Sequence, residues 1–175
     1  MILYDKPFPG CESKTIYDLP TVYYKPEKII FFGKEFIREP YVDDIIIKTF
    51  ITDGTNRYGY FSGLKSLNDL HGTTQVPSTI DIKSERIIQT CMYVDGLTKY
   101  IVHPANKIIT SNNYIYLQIL DTLEEMYDYF EEDRIECIKH LVDKLKLNIH
   151  QFYKLLPNYS TRTKEVIKNV FTPEY

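Results

Sequence analysis

The sequence predicts an α+β protein: a mixed or antiparallel sheet with short helices, followed by a C-terminal helical subdomain. Three observations predict it. Up to about residue 110, short β-branched and aromatic runs alternate with proline and glycine breaks. Beyond that point the apolar period lengthens, with Tyr116, Leu120, Leu123 and Tyr127 following the spacing of one helix face. Strands gathered ahead of helices, rather than interleaved with them, belong to α+β folds.

Taken in order, residues 1–40 read as an extended arm. Pro7, Pro9, Pro20 and Pro26 forbid a long helix there, and short strands are expected over 21–24 and 29–32. Residues 41–110 read as an α/β core. Its first element, 41–50, could be either type: the β-branched density favours a strand, while Pro40 and the acidic Asp43 and Asp44 suit a helix start, and the helix is preferred. Asp53-Gly54 marks a turn before a strand over 57–61. Ser62 is placed to cap a short helix over 63–70 that stops at Gly72. Strands follow over 80–82 and 86–94, and Asp95-Gly96 closes a hairpin onto 98–102. Residues 111–175 hold the helices: one to about Phe130, one over 134–146, a third capped by Asn148, and a fourth capped by Ser160. No repeat or linker divides the 175 residues, which suit one compact domain.

Composition narrows the function classes. Tyrosine is the outlier, with 16 Tyr against 9 Phe and no Trp. Tyr packs as an aromatic yet keeps a polar handle, so it suits half-buried sheets and contact surfaces; codon bias in an AT-rich genome gives the same excess. Cys11, Cys91 and Cys137 are scattered and odd in number, as reduced thiols are. No signal-peptide pattern or membrane-length apolar run is readable, so the expected location is the cytoplasm. Net charge is −3, which argues against broad coating of nucleic acid. The charge is uneven, however: residues 1–133 carry a net −7 and residues 134–175 a net +4.

Signatures of chemistry are sparse. The four histidines are isolated, with no close Cys or His pairs of the kind that ligate a metal, so neither metal nor cofactor is expected. Glycine-rich phosphate loops, a G-x-S-x-G elbow and the Gly-Ser dipeptide of nucleotidyltransferases are absent. Asp81-Ile82-Lys83 has the acid-x-lysine spacing of metal-dependent nucleases, with Asp53 or Asp69 as a second carboxylate for Mg²⁺. Arg134 and His140 match the loose spacing of an all-helical ribonuclease class, at odds with the β half of this chain. Residues 141–170 have the rhythm of a helix-turn-helix. Lys144, Lys146, Lys154, Arg162, Lys164 and Lys168 could meet DNA phosphates there, or form the solvated face of a packed subdomain. No small-molecule substrate or membrane is indicated.

Residues 58–82, YGYFSGLKSLNDLHGTTQVPSTIDI, are less generic. Tyr58-Gly59-Tyr60, Ser62-Gly63-Leu64, Gly72-Thr73-Thr74-Gln75-Val76-Pro77 and Ile80-Asp81-Ile82 resemble the antitoxin domain of the AbiEi family. That family is the protective half of abortive-infection type IV toxin–antitoxin pairs, a form of phage defence. A fainter likeness continues through Ile108, Thr110, Asn113, Leu117, Ile119, Leu120 and Asp121. The resemblance implies a non-enzymatic antitoxin or regulator that neutralises a cognate, nucleotidyltransferase-like toxin. Family members usually carry a winged helix-turn-helix ahead of this domain and repress their own promoter. The proline-rich residues 1–40 are too few and too broken for one, so promoter binding is not carried over.

The residues themselves allow two readings of the tract. Gly59 permits close backbone approach, Ser62 and Gly63 open the helix, and Val76 before Pro77 must be extended. Tyr58, Gly59, Ser62, Gly63, Thr73, Thr74, Gln75 and Pro77 therefore define either the fold or a partner surface.

Overall fold

A computed structural model describes residues 3, 4, 6, 7, 12–14, 19, 21–131 and 133–172. Of the sequence features above, Cys11, Pro9 and Pro20 lie outside the described residues. The fold is α+β, as the change of apolar period requires.

Residues 1–40 do more than extend. Strands β1 (Leu3–Tyr4), β2 (Glu12–Lys14) and β3 (Val22–Tyr24) form a small antiparallel sheet in the order β1-β3-β2. Leu19, Val22 and Tyr24 are buried, the first two in a cluster with Ile45, Ile46 and Phe50 of the following helical segment. Strands β4 (Glu27–Phe31) and β5 (Lys34–Arg38) then make a separate hairpin. Its two-residue turn, Phe32-Gly33, has φ of +49° and +72°. Two left-handed residues match the twist of a tight hairpin, but phenylalanine is an unusual occupant of such a position. That choice hid the hairpin from the sequence.

Helix α1 (Val42–Ile46) runs on as a wider π turn over Ile47–Ile51, so the β-branched run is helical. Asp44 accepts a bond from the Tyr41 amide at 3.3 Å, holding the helix start. The main sheet comprises β6 (Gly59–Ser62), β7 (Thr79–Ser84), β8 (Cys91–Asp95) and β9 (Thr98–Pro104), in the order β6-β7-β9-β8. Only β7 and β9 run parallel. The strand expected over 86–94 begins only at Cys91; from Glu85 the chain turns away from the sheet. The hairpin loop is Gly96-Leu97, one residue later than expected, with Gly96 at φ +56°.

Helix α2 (Gly63–Asp69) follows β6 directly. Ser62 sits at its N-cap position in extended geometry, yet its side chain makes no capping bond, which corrects the role expected for it. Helix α3 (Tyr114–Glu125) ends in a 3-10 turn, Tyr127–Tyr129. Eight consecutive residues of α3, from Tyr116 to Leu123, are buried. A helix covered on every side lies between two layers. Leu117 meets Tyr60 of the sheet, while Ile119, Leu120 and Leu123 meet the C-terminal helices.

Those helices are α4 (Arg134–Leu145), α5 (Ile149–Leu155) and α6 (Thr161–Val170); the caps of α5 and α6 are the ones read from sequence, and α4 is capped by Asp133. The Asn148 side chain accepts from the His150 amide at 2.8 Å, and Ser160 Oγ accepts from the Thr163 amide at 3.4 Å. Fully buried Phe152 sits between Tyr116 and Phe171, with ring centroids 4.9 and 5.6 Å away. No helix among the described residues is long and apolar enough to cross a membrane.

Candidate functional site

The tract from Tyr58 to Pro77 divides into a buried half and a displayed half. Tyr58 is buried, donates to Asp53, and carries the Arg86 guanidinium 3.4 Å over its ring. At Gly59 an added Cβ would stand 2.6 Å from the Lys83 carbonyl oxygen and closer still to that of Phe50. Glycine is required by the backbone packed against it on either side. Gly63 has φ +57°, and its missing Cβ would lie 2.9 Å from Asp81 Oδ2. Ser62 is buried, and Thr73 is only 4% exposed. These five residues build the fold.

The next residues face outward on a rigid mount. The Glu131 carboxylate accepts from the Thr74 amide at 2.9 Å, from the Thr74 hydroxyl at 3.1 Å and from the Gln75 side-chain amide at 3.1 Å. Its own amide donates to the Gly72 carbonyl at 2.8 Å. The Thr74 amide, with help from Thr73, Thr74 and Gln75 side chains, holds the Glu131 carboxyl below its ordinary range. From beneath, Asn68 Nδ2 donates to the Thr73 carbonyl at 3.1 Å. Thr74 and Gln75 are exposed, Val76 is 87% exposed, and Pro77 is half-buried.

A polar cleft of about 470 Å³ is lined by Ser62, Gly63, Asp81, Lys83, His103, Asn106 and Glu125. Strand alternation puts Asp81 and Lys83 on one face of β7. Asp81 Oδ1 lies 3.0 Å from His103 Nε2 on β9. Lys83 Nζ lies 2.6 Å from Asp121 Oδ2 and pairs also with Glu125, both on α3. Asp121 accepts two further bonds, from Tyr60 at 2.7 Å and from Tyr159 at 2.6 Å. Lys107 caps the group, its ammonium 3.8 Å above the Tyr159 ring.

The charges of this network hold one another. Burial alone would raise the Asp121 carboxyl, but Lys83 and the two tyrosine donors bring it below its ordinary value. Burial pulls Lys83 down, and Asp121 with Glu125 more than restores it. Burial and the neighbouring carboxylate push both tyrosine hydroxyls up, so they remain donors. Lys107 is lowered, chiefly by burial.

The second carboxylates considered for a nuclease are elsewhere. Asp53 closes its own turn onto the Thr55 and Asn56 amides, and Asp69 pairs with Lys65. The carboxylates that reach the Asp81–Lys83 face are Asp121 and Glu125, on a helix about 40 residues further along. Among the described residues, no three His, Cys, Asp or Glu side chains are grouped to hold a metal ion. Arg134 stacks 3.9 Å over Tyr127 and donates to its carbonyl, while His140 is exposed.

The basic helices pack as a subdomain on α3. Phe152 and Ile167 are fully buried at its centre. Lys144, Lys146, Lys154 and Lys168 are exposed on its outside. Arg162 instead donates to the Glu124 carbonyl and stacks on Tyr127, and Lys164 reaches the Pro157 carbonyl at 3.3 Å.

Sequence reading missed the Asp121 group as a unit. Asp121 drew notice only through the faint downstream likeness, and a carboxylate inside the apolar run Ile119-Leu120-Asp121-Thr122-Leu123 was the available signal. No protein-family model, curated protein or solved structure matches the chain.

Proposed function

We propose that this chain is a non-enzymatic cytoplasmic protein that grips a protein partner, an AbiEi-like antitoxin that neutralises a nucleotidyltransferase-like toxin. The observation that carries the reading is the clasp of Glu131 on Thr74 and Gln75. It spends a carboxylate on fixing a loop whose Val76 then stands 87% exposed. A pre-ordered loop loses little entropy on binding, and the exposed Val76 side chain on it offers apolar area for a protein surface to cover. The polar groups behind it support the same reading, because Lys83 and Asp121 are occupied with each other and with two tyrosines.

The test is co-expression with the product of the adjacent reading frame. The wild type should relieve that product's toxicity, and Val76→Asp should lose the rescue while unfolding at the same urea concentration. A neighbour that is not toxic, or one that the wild type fails to relieve, removes the antitoxin reading.

A second reading, a Mg²⁺-dependent nuclease, draws on Asp81 and Lys83 sharing one open cleft. It requires magnesium-stimulated cleavage by the wild type that Asp81→Ala abolishes. A third, a DNA-binding regulator, draws on the four exposed lysines of the C-terminal helices and requires binding that weakens steeply with salt.

A further inference from the structure

The β4–β5 hairpin and strand β8 both present uncovered apolar side chains. Every residue of both hairpin strands is exposed. Ile30 is 76% exposed, Phe31 61%, Phe32 90% and Ile37 54%, and none of them joins any of the three apolar clusters. A two-stranded hairpin with no face covered is marginal in water. The left-handed Phe32 adds backbone strain at its tip.

Across the molecule, β8 closes the main sheet with an open edge: no described strand pairs on its outer side. Met92 and Val94 project from one face of it, 59% and 62% exposed, with Leu97 at 97% in the adjoining turn. Native edges are ordinarily guarded by lysine, proline, a bulge or a covering element, and β8 carries neither lysine nor proline.

We propose that β4 of one chain adds antiparallel to the β8 edge of a second copy. The sequences match in one register: Lys28 opposite Asp95, Ile29 opposite Val94, Ile30 opposite Tyr93, and Phe31 opposite Met92. Opposite residues share a face, so Ile29 and Phe31, with Phe36 beside them, extend the exposed Met92–Val94 row. The single charged pair has opposite signs. A bilayer suits the hairpin less well, because Glu27, Lys28, Lys34, Glu35, Arg38 and Glu39 balance and leave no net charge to attract anionic lipid. The contact is heterologous, so a reciprocal pair closes as a dimer and a one-way contact grows into a ring or chain. The proposal is independent of the antitoxin reading.

Sedimentation velocity of the purified full-length chain across a wide concentration range tests it. Self-association is expected in the wild type. Lys28→Asp and Asp95→Lys should each weaken it about tenfold, and the double reversal should restore it. Both positions are exposed, so all three variants should fold. A monomer at every concentration overturns the proposal, as does an oligomer indifferent to both reversals. Wild type that stays monomeric yet binds phosphatidylserine vesicles assigns the hairpin to membrane and overturns it too.

Discussion

Replacing Asp121 with alanine removes the acceptor of three hydrogen bonds at once. The donors are the hydroxyl of Tyr60, which is 2% exposed, that of Tyr159, at 7%, and the ammonium of Lys83. Lys83 keeps Glu125, so its loss is partial. The two phenols have no alternative carboxylate partner among their hydrogen bonds, and a buried donor left unsatisfied costs about 1–3 kcal/mol. The two donors together cost about 2–6 kcal/mol, and the weakened ion pair adds to that. Domains of this kind have about 5–15 kcal/mol in all, so the loss is large.

Urea unfolding followed by far-UV circular dichroism reads it directly, as a lower midpoint with an unchanged slope. Asp121→Asn keeps one carbonyl acceptor and should fall between wild type and alanine. Adding Tyr60→Phe and Tyr159→Phe to the alanine variant removes the stranded donors and should recover part of the loss. A Asp121→Ala variant within about 1 kcal/mol of wild type would refute the account of this group as a structural clasp. A gain in stability would mark Asp121 as a carboxylate held at a cost for chemistry.

Gly59→Ala forces a methyl between two backbone carbonyls that cannot swing away, and should cost more than about 3 kcal/mol or prevent folding. Gly63→Ala meets a movable Asp81 side chain and a left-handed backbone, and should cost about 1–2 kcal/mol by the same urea assay. Acid should weaken the fold through Asp121. Its folded pKa lies below the unfolded value, so its contribution is present above about pH 4 and is lost as pH falls through the folded value. Urea midpoints measured down to pH 3 should therefore drop more for wild type than for Asp121→Asn. Equal acid sensitivity would show that the carboxylate is not held by its donors.

The tyrosine excess takes on a physical meaning in the fold. Buried Tyr24, Tyr58, Tyr60, Tyr100 and Tyr159 each donate their hydroxyl to a carboxylate: Glu12, Asp53, Asp121, Asp43 and Asp121. Burial, with the Glu12 carboxylate beside it, raises the Tyr24 hydroxyl to about 12. An aromatic that packs in a core while its hydroxyl reaches a carboxylate serves both needs with one side chain, and of these acids Asp121 is itself buried. Composition showed the number of tyrosines and left their partners open.

What this sequence determined by itself is local. Asn148 and Ser160 cap helices because a short polar side chain reaches amides two or three residues on. The change of period near residue 110 marked where strands give way to helices, since periodicity depends only on which face is buried. Gly59 and Gly63 could be read as close approaches, though what approaches them could not. Only the tertiary structure decided the rest. Lys83 is an ion-paired cation because Asp121 and Glu125 arrive from a helix 38 and 42 residues later. Thr74 and Gln75 form a fixed surface because Glu131, more than 50 residues away, binds their polar groups. The hairpin escaped notice because its turn uses Phe32 where sequence patterns look for asparagine or glycine, and its exposure depends on what the remainder of the chain leaves uncovered. Local rules act over a few residues, whereas burial and pairing are properties of contacts that only the folded chain brings together.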